Sequence, residues 1–144
     1  MIIDMHSHFV PQALLDDLVT ANHILAHEGI VDAFGHVSVR DPADPKRYYL
    51  SCSRSPELVK RADLMHFTHD GNTVGTDDRE PYIERFIHGG IYEARPDVNA
   101  VIHSHAEDVL QLPISAQPLR PVVGAAAKIG RHIPVLDMGE RFGN

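Results

Sequence analysis

The chain has 144 residues, 43% hydrophobic and 23% charged, with a formal net charge of −7. That length suits one domain, or part of one, with a buried core. No apolar run approaches the ~20 residues of a membrane span, and no segment gathers Lys and Arg for nucleic acid, so neither partner is expected.

Cysteine usage and the N-terminus narrow the class. Cys52 is the one cysteine, which leaves no internal disulfide framework and fits a reducing cytoplasm. The start lacks the basic segment and long apolar stretch of a signal peptide. Residues 1–11, MIIDMHSHFVP, are a short strand-like run carrying a His-x-His pair, His6 and His8. This run resembles the opening of amidohydrolase barrels, where such a pair binds metal. A barrel of that type needs roughly 250 residues. Residues 1–11 are therefore expected to be an N-terminal extension or a junction between reading frames, and 12–144 the folded domain.

Spacing predicts a helix over 12–28. Leu14, Leu15, Leu18, Ala21, Ile24 and Leu25 form its apolar face, and Asp16, Asp17 and Asn22 its outer face. His23 and His27 are read as a solvated or cap-side pair. Gly35 marks a tight turn at which backbone can approach a ligand closely. In the strand that follows, Val37 and Val39 alternate with Ser38 and Arg40, the pattern of a half-buried strand. Residues 41–47 are a turn, and 47–51 the returning strand. The polar run 51–56, SCSRSP, has two readings. It is a loop capping a helix that starts near Pro56, with Ser55 as N-cap, or an anion cradle in which Ser53 and the Arg54 fork bind a carboxylate. A strand over 62–68 and a turn over 69–75 follow. A helix is predicted over 81–93, with Ile83, Phe86, Ile87 and Ile91 as one stripe. Gly89 and Gly90 inside it cost about 1 kcal/mol each relative to Ala, which suggests close packing against another backbone. A short buried strand over 100–103, a helix starting near 106 and a strand over 130–135 complete the elements.

The chemistry gathers at the end of the 100–103 strand. His103 and His105 lie two residues apart, and in extended chain such residues point to the same face. Both imidazoles could therefore reach one ion. With Glu84 upstream they would make a three-ligand divalent-metal site, although a third His is an equally normal choice. Eleven histidines raise the expectation of metal or acid–base chemistry. His36, beside the first turn, is a candidate for acid–base work or for binding a substrate carboxylate; a turn histidine satisfied by backbone is the alternative.

Glu84, the run RPDVNAVIHSHA over 95–106 and the turn-strand Gly35-His-Val-Ser-Val-Arg40 together resemble the class II aldolase/adducin family. The resemblance implies an α/β/α fold with a central, mainly antiparallel sheet, incomplete at its C-terminus. It also implies a homotetramer with active sites at subunit interfaces, and a metal held by three histidines. Two of these map onto His103 and His105, and the family's carboxylate, a ligand or an acid/base, onto Glu84. The third histidine lies downstream in family members, in an Arg-Gly-His-Gly type motif that these residues do not contain. The site is thus expected to be incomplete as written.

Sugar-phosphate members hold phosphate with a Gly-Asn first turn, Ser/Thr-Gly in the second loop and paired Ser before the Glu. Here those places read Gly35-His36, Ser53-Arg54 and Tyr82-Ile83. These swaps remove a phosphate cradle and supply a planar fork suited to carboxylate. The pattern resembles the decarboxylase branch, acting on hydroxylated aromatic or pyridine dicarboxylates with Mn or Zn. An aldolase or epimerase of a sugar phosphate, and a non-catalytic adducin-like interaction module, are the other expectations.

Overall fold

In the computed structural model, which describes residues 12–115, 118–130 and 133–135, four short strands form one antiparallel sheet. They are β1 (His36–Arg40), β2 (Arg47–Ser51), β3 (Leu64–Thr68) and β4 (Ala100–His103), in the order β3-β2-β1-β4. β1 and β2 form a hairpin in which Val39 faces Tyr49 and Arg40 faces Tyr48. The Asp41–Lys46 connection carries the expected turn chemistry, with the Asp41 and Asp44 carboxylates accepting from the N–H groups of Ala43 and Lys46.

Helix α1 (Gln12–His27) and helix α2 (Arg85–Ala94) cover opposite faces of this sheet, which makes the expected α/β/α layering. Under α1, Leu18, Val37 and Tyr49 pack with Leu15, Ala21, Leu25, Val39 and Leu64. Under α2 lies the larger cluster: Tyr48, Leu50, Met65, Phe67, Tyr82, Tyr92 and Val101. Strand alternation assigns each residue to its cluster, and full burial of one such side chain stabilises by about 1.5–3 kcal/mol.

Three details depart from the sequence reading. Asn22, expected on the outer face of α1, is buried, and its amide donates to the Leu18 carbonyl at 2.8 Å. Ile24 is the exposed one. Helix α2 starts at Arg85 rather than 81, because residue 81 bridges to Cys52 as extended chain. The stripe of α2 is also turned outward: Ile83, Phe86 and Ile87 are exposed, while His88, Gly89 and Tyr92 are buried. The polar face of β1 explains this. His36, Ser38 and Arg40 are all buried rather than solvated, so the helix covering them must bring polar partners. Close packing holds for Gly89, where a Cβ would lie 1.9 Å from the His69 carbonyl oxygen, and not for Gly90, which has nothing within 4 Å.

Arg40 ties these layers together without a carboxylate. Its guanidinium donates to the carbonyls of Val98 (2.9 Å), Pro45 (2.6 Å), Tyr92 (2.9 Å) and Arg95 (2.9 Å). The last two belong to the end of α2, the negative pole of its dipole. Arg40→Met keeps the stem but leaves buried carbonyls unpaired. A stability loss of about 2 kcal/mol is expected, read as a lower urea midpoint at unchanged slope.

The chain divides into two compact units, Met1–His105 and Ala106–Asn144. The second contains helix α3 (Glu107–Ser115), begun by the acids Glu107 and Asp108 that favour a helix N-terminus, and a 3-10 helix, Gly124–Ile129. The strand expected over 130–135 is not seen at its described residues. The expected extension over 1–11, with His6 and His8, lies outside the described residues.

Candidate active site

The register of β1 against β4 builds the site. His36 pairs directly with His103, so their side chains share the α2 face of the sheet. Gly35 allows the strands to meet there: a Cβ on it would stand 2.6 Å from the Val31 Cβ and 3.0 Å from the His103 carbonyl oxygen. The close approach that Gly35 permits in this structure is thus to the protein's own backbone.

His103 and His105 converge, with their Nε2 atoms 3.0 Å apart and their rings at 88°. Burial, with the neighbouring His105, lowers the pKa of His103 despite the opposing charges of Glu84 and Asp32. That favours the neutral imidazole, the form that binds a metal. On its other side, His105 Nδ1 lies 3.4 Å from each carboxylate oxygen of Asp32. Asp32 Oδ1 also accepts the N–H groups of Phe34 (3.0 Å) and Gly35 (2.7 Å). Desolvation raises its pKa, but these hydrogen bonds outweigh that and leave it below the usual carboxylate value.

Glu84 is the half-buried N-cap of α2 rather than a residue within the helix. Its charge raises the pKa values of both His36 and His103. Among the described residues, no three His, Cys, Asp or Glu groups are arranged to hold a metal ion.

Behind His103 lies a buried column of rings. His36 has no exposed surface and meets Tyr82, His88 and His103 edge-on, at centroid distances of 4.0, 4.8 and 5.0 Å. Burial first, then the charge of His103, pushes its pKa down to about 4. Neither ring nitrogen of His36 has a partner among the described residues. His88 sits deeper, its Nδ1 2.6 Å from Ser38 Oγ, which is 2.7 Å from the Tyr92 hydroxyl.

The 51–56 segment adjoins this column. Ser53 N–H donates to the Glu80 carbonyl at 2.8 Å. The Tyr82 hydroxyl donates to the Arg54 carbonyl and accepts the Arg54 N–H at 3.3 Å. Ser53 and Arg54 are both exposed, and Arg54 Nε lies 3.5 Å from an Asp63 oxygen. Ser55 precedes a 3-10 turn, Pro56–Leu58, and makes no side-chain capping bond. His23, read as solvated, has Nε2 2.8 Å from the Val59 carbonyl oxygen.

Sequence reasoning missed Asp32, Ser38, His88 and Tyr92. Asp32 stands three residues before Gly35, a spacing typical of an Asx turn, but its approach to His105 joins residues distant in sequence. His88 lies one helical turn after Glu84, a signal masked by reading the polar side of α2 as its outer face.

The profile of the class II aldolase and adducin N-terminal domain matches residues 16–142. Decarboxylase tropJ of Talaromyces stipitatus is 37% identical over 126 residues, covering 86% of this chain and 47% of its own. A 3,4-dihydroxyphthalate decarboxylase of Arthrobacter keyseri is 29% identical over 118 residues, covering 75% of this chain and 46% of its own. The chain thus spans about half the length of these relatives. Among solved structures, L-fuculose 1-phosphate aldolase from Glaciozyma antarctica superposes with a TM-score of 0.72 at 27% identity, over 81% of this chain and 49% of that one. The profile match covers most of the chain, and the protein belongs to the class II aldolase and adducin family.

Proposed function

We propose that this chain supplies part of the active site of a divalent-metal-dependent carbon–carbon lyase, a decarboxylase of a hydroxylated aromatic or pyridine dicarboxylate. The observation that carries the reading is the 3.0 Å convergence of the two Nε2 atoms. Zinc–imidazole bonds of about 2.0–2.1 Å place two ligand nitrogens roughly 3 Å apart, so the pair fits one Mn or Zn ion. His103 and His105 would hold it, with Glu84 as a third ligand or as the acid/base. Two relatives named as decarboxylases support the reaction class. The substrate class is supported by Tyr82-Ile83, where the phenol is bonded to backbone and no paired hydroxyls offer a phosphate cradle.

A cation bound there supplies a Lewis acid next to the substrate oxygen. The chain's own residues do the rest. Arg54 and Ser53 bind the spectator carboxylate. As the carbon–carboxylate bond breaks, CO₂ leaves and the electron pair stays on the ring carbon. Glu84 delivers a proton to that carbon, directly or through water. Gly35 and His36 lie beneath the site, His36 as a fully buried neutral imidazole packed edge-on behind His103.

The exposed Ile83, just before α2, and Phe86 and Ile87 on it suit an interface between copies, so a homo-oligomer, a tetramer by family resemblance, is part of the proposal. No helix among the described residues is long and apolar enough to cross a membrane; a cytoplasmic location is proposed from the single cysteine. The likeness to an L-fuculose 1-phosphate aldolase favours a sugar-phosphate aldolase or epimerase as the second reading.

The test is CO₂ release from hydroxypyridine and hydroxyphthalate dicarboxylates, with Mn²⁺ or Zn²⁺, by the full-length gene product. Release is expected, about 10²–10⁴-fold slower in Glu84→Gln and abolished in His103→Ala. Cleavage of L-fuculose 1-phosphate without any CO₂ release would establish the second reading instead.

A further inference from the structure

We infer that Asp32 is a positioning residue for His105, holding its Nδ1–H so that Nε2 is the bare nitrogen presented beside His103. The consequence for metal affinity rests on the proposed metal reading; the hydrogen-bond arrangement does not.

The carboxylate is itself held in place. Oδ1 receives two backbone N–H groups, from Phe34 and Gly35, so the turn orients Asp32 before any ligand arrives. The Ser104 hydroxyl, between the two histidines, donates to the Ile30 carbonyl. This bond and the Asp32–His105 contact both join the 103–105 and 30–35 segments.

Donor and acceptor rules then assign the protons. An ionised carboxylate only accepts, and a neutral imidazole has one N–H and one bare nitrogen. The nitrogen facing Asp32 must carry the proton, so Nδ1 is protonated and Nε2 is the acceptor. The 3.0 Å gap to His103 Nε2 holds one proton, which His103 must then supply. In the metal-free chain, His105 is the Nδ1–H tautomer and His103 the Nε2–H tautomer. A carboxylate that fixes a ligating histidine in this way typically contributes 10–100-fold in metal affinity.

Turn capping alone would also give Asp32 a structural use, so the test separates the two roles. Imidazole ¹⁵N NMR on the metal-free chain, at about pH 8 and thus above the ordinary His pKa of about 6.5, reads each tautomer. Asp32→Ser keeps an oxygen able to cap the turn but cannot reach His105. His105 is expected to lose its single tautomer while the buried His88 signals stay unchanged, which reports an intact fold. Zn²⁺ affinity, measured by calorimetry, is expected to fall about 10–100-fold. If the His88 signals show that Asp32→Ser is unfolded, Asp32→Asn takes its place. It keeps Oδ1 for the turn and sets an amide N–H donor against His105 Nδ1, so His105 is expected to shift towards the Nε2–H tautomer.

An Nε2–H tautomer of His105 in the wild type overturns the inference. So does an unchanged His105 tautomer in the folded variant, whatever happens to Zn²⁺ affinity. A wild-type full-length gene product that shows the expected tautomers but binds no Zn²⁺ removes the metal reading and leaves the positioning role standing.

Discussion

Gly89→Ala is expected to destabilise the protein by at least about 3 kcal/mol, whereas its neighbour Gly90→Ala stabilises it by about 0.5–1 kcal/mol. Both glycines lie inside α2, where alanine is intrinsically the better residue by about 1 kcal/mol. The difference is tertiary. A Cβ on Gly89 would stand 1.9 Å from the His69 carbonyl oxygen and 2.8 Å from its carbonyl carbon, while one on Gly90 meets nothing within 4 Å. His69 is main chain at the end of β3, so relief requires moving the helix off the sheet and disturbing Tyr92 and His88 in the core. Urea unfolding followed by circular dichroism reads both signs. Stabilisation by both substitutions would show that α2 does not sit on the His69 backbone.

Acid is expected to unfold the protein through its buried imidazoles. Burial foremost, then the charges of His36 and His103, pushes the pKa of His88 down to about 3. Burial foremost, then the charge of His103, pushes that of His36 to about 4. In the unfolded chain both titrate near the ordinary value of 6.5. Below that pH the unfolded state binds protons that the folded state refuses, so stability is lost as pH falls. The contribution is fully present above about pH 6.5 and declines towards pH 4 and below, by about 1.4 kcal/mol per pH unit for each histidine. His88→Gln can still bond with Ser38 and carries no titrating ring. Its urea midpoint is expected to fall less steeply between pH 6.5 and 4. Equal slopes in wild type and variant would remove His88 as the source.

Both effects arise at one place, the interface of β1 with α2, and there sequence reading was weakest. Alternation in His36-Val-Ser-Val-Arg40 correctly separates two faces. It does not say that both are covered. The spacing of Ile83, Phe86, Ile87 and Ile91 correctly shows an amphipathic segment, yet Ile83, Phe86 and Ile87 face outward while Ile91 packs against the core. A helix buries whichever side matches its partner. Here the partner offers a hydroxyl, an imidazole and a guanidinium, so the polar side with His88 and Tyr92 goes in. Hydrophobic periodicity reports the angle between faces and is silent on which one meets a polar surface.

The chain's order of residues was by itself enough for the hairpin turn over 41–47, the two-residue spacing of His103 and His105 and the family, and the family resemblance implied the antiparallel α/β/α architecture. Each depends on local geometry or on a motif contained in a short run. Only the tertiary structure decided that Glu84 caps α2 and that Gly35 packs on the His103 carbonyl. It alone brought Asp32 to His105 and buried His36 behind the site. These are contacts between segments far apart in sequence, set by strand register and helix seating, which no spacing within a single segment encodes.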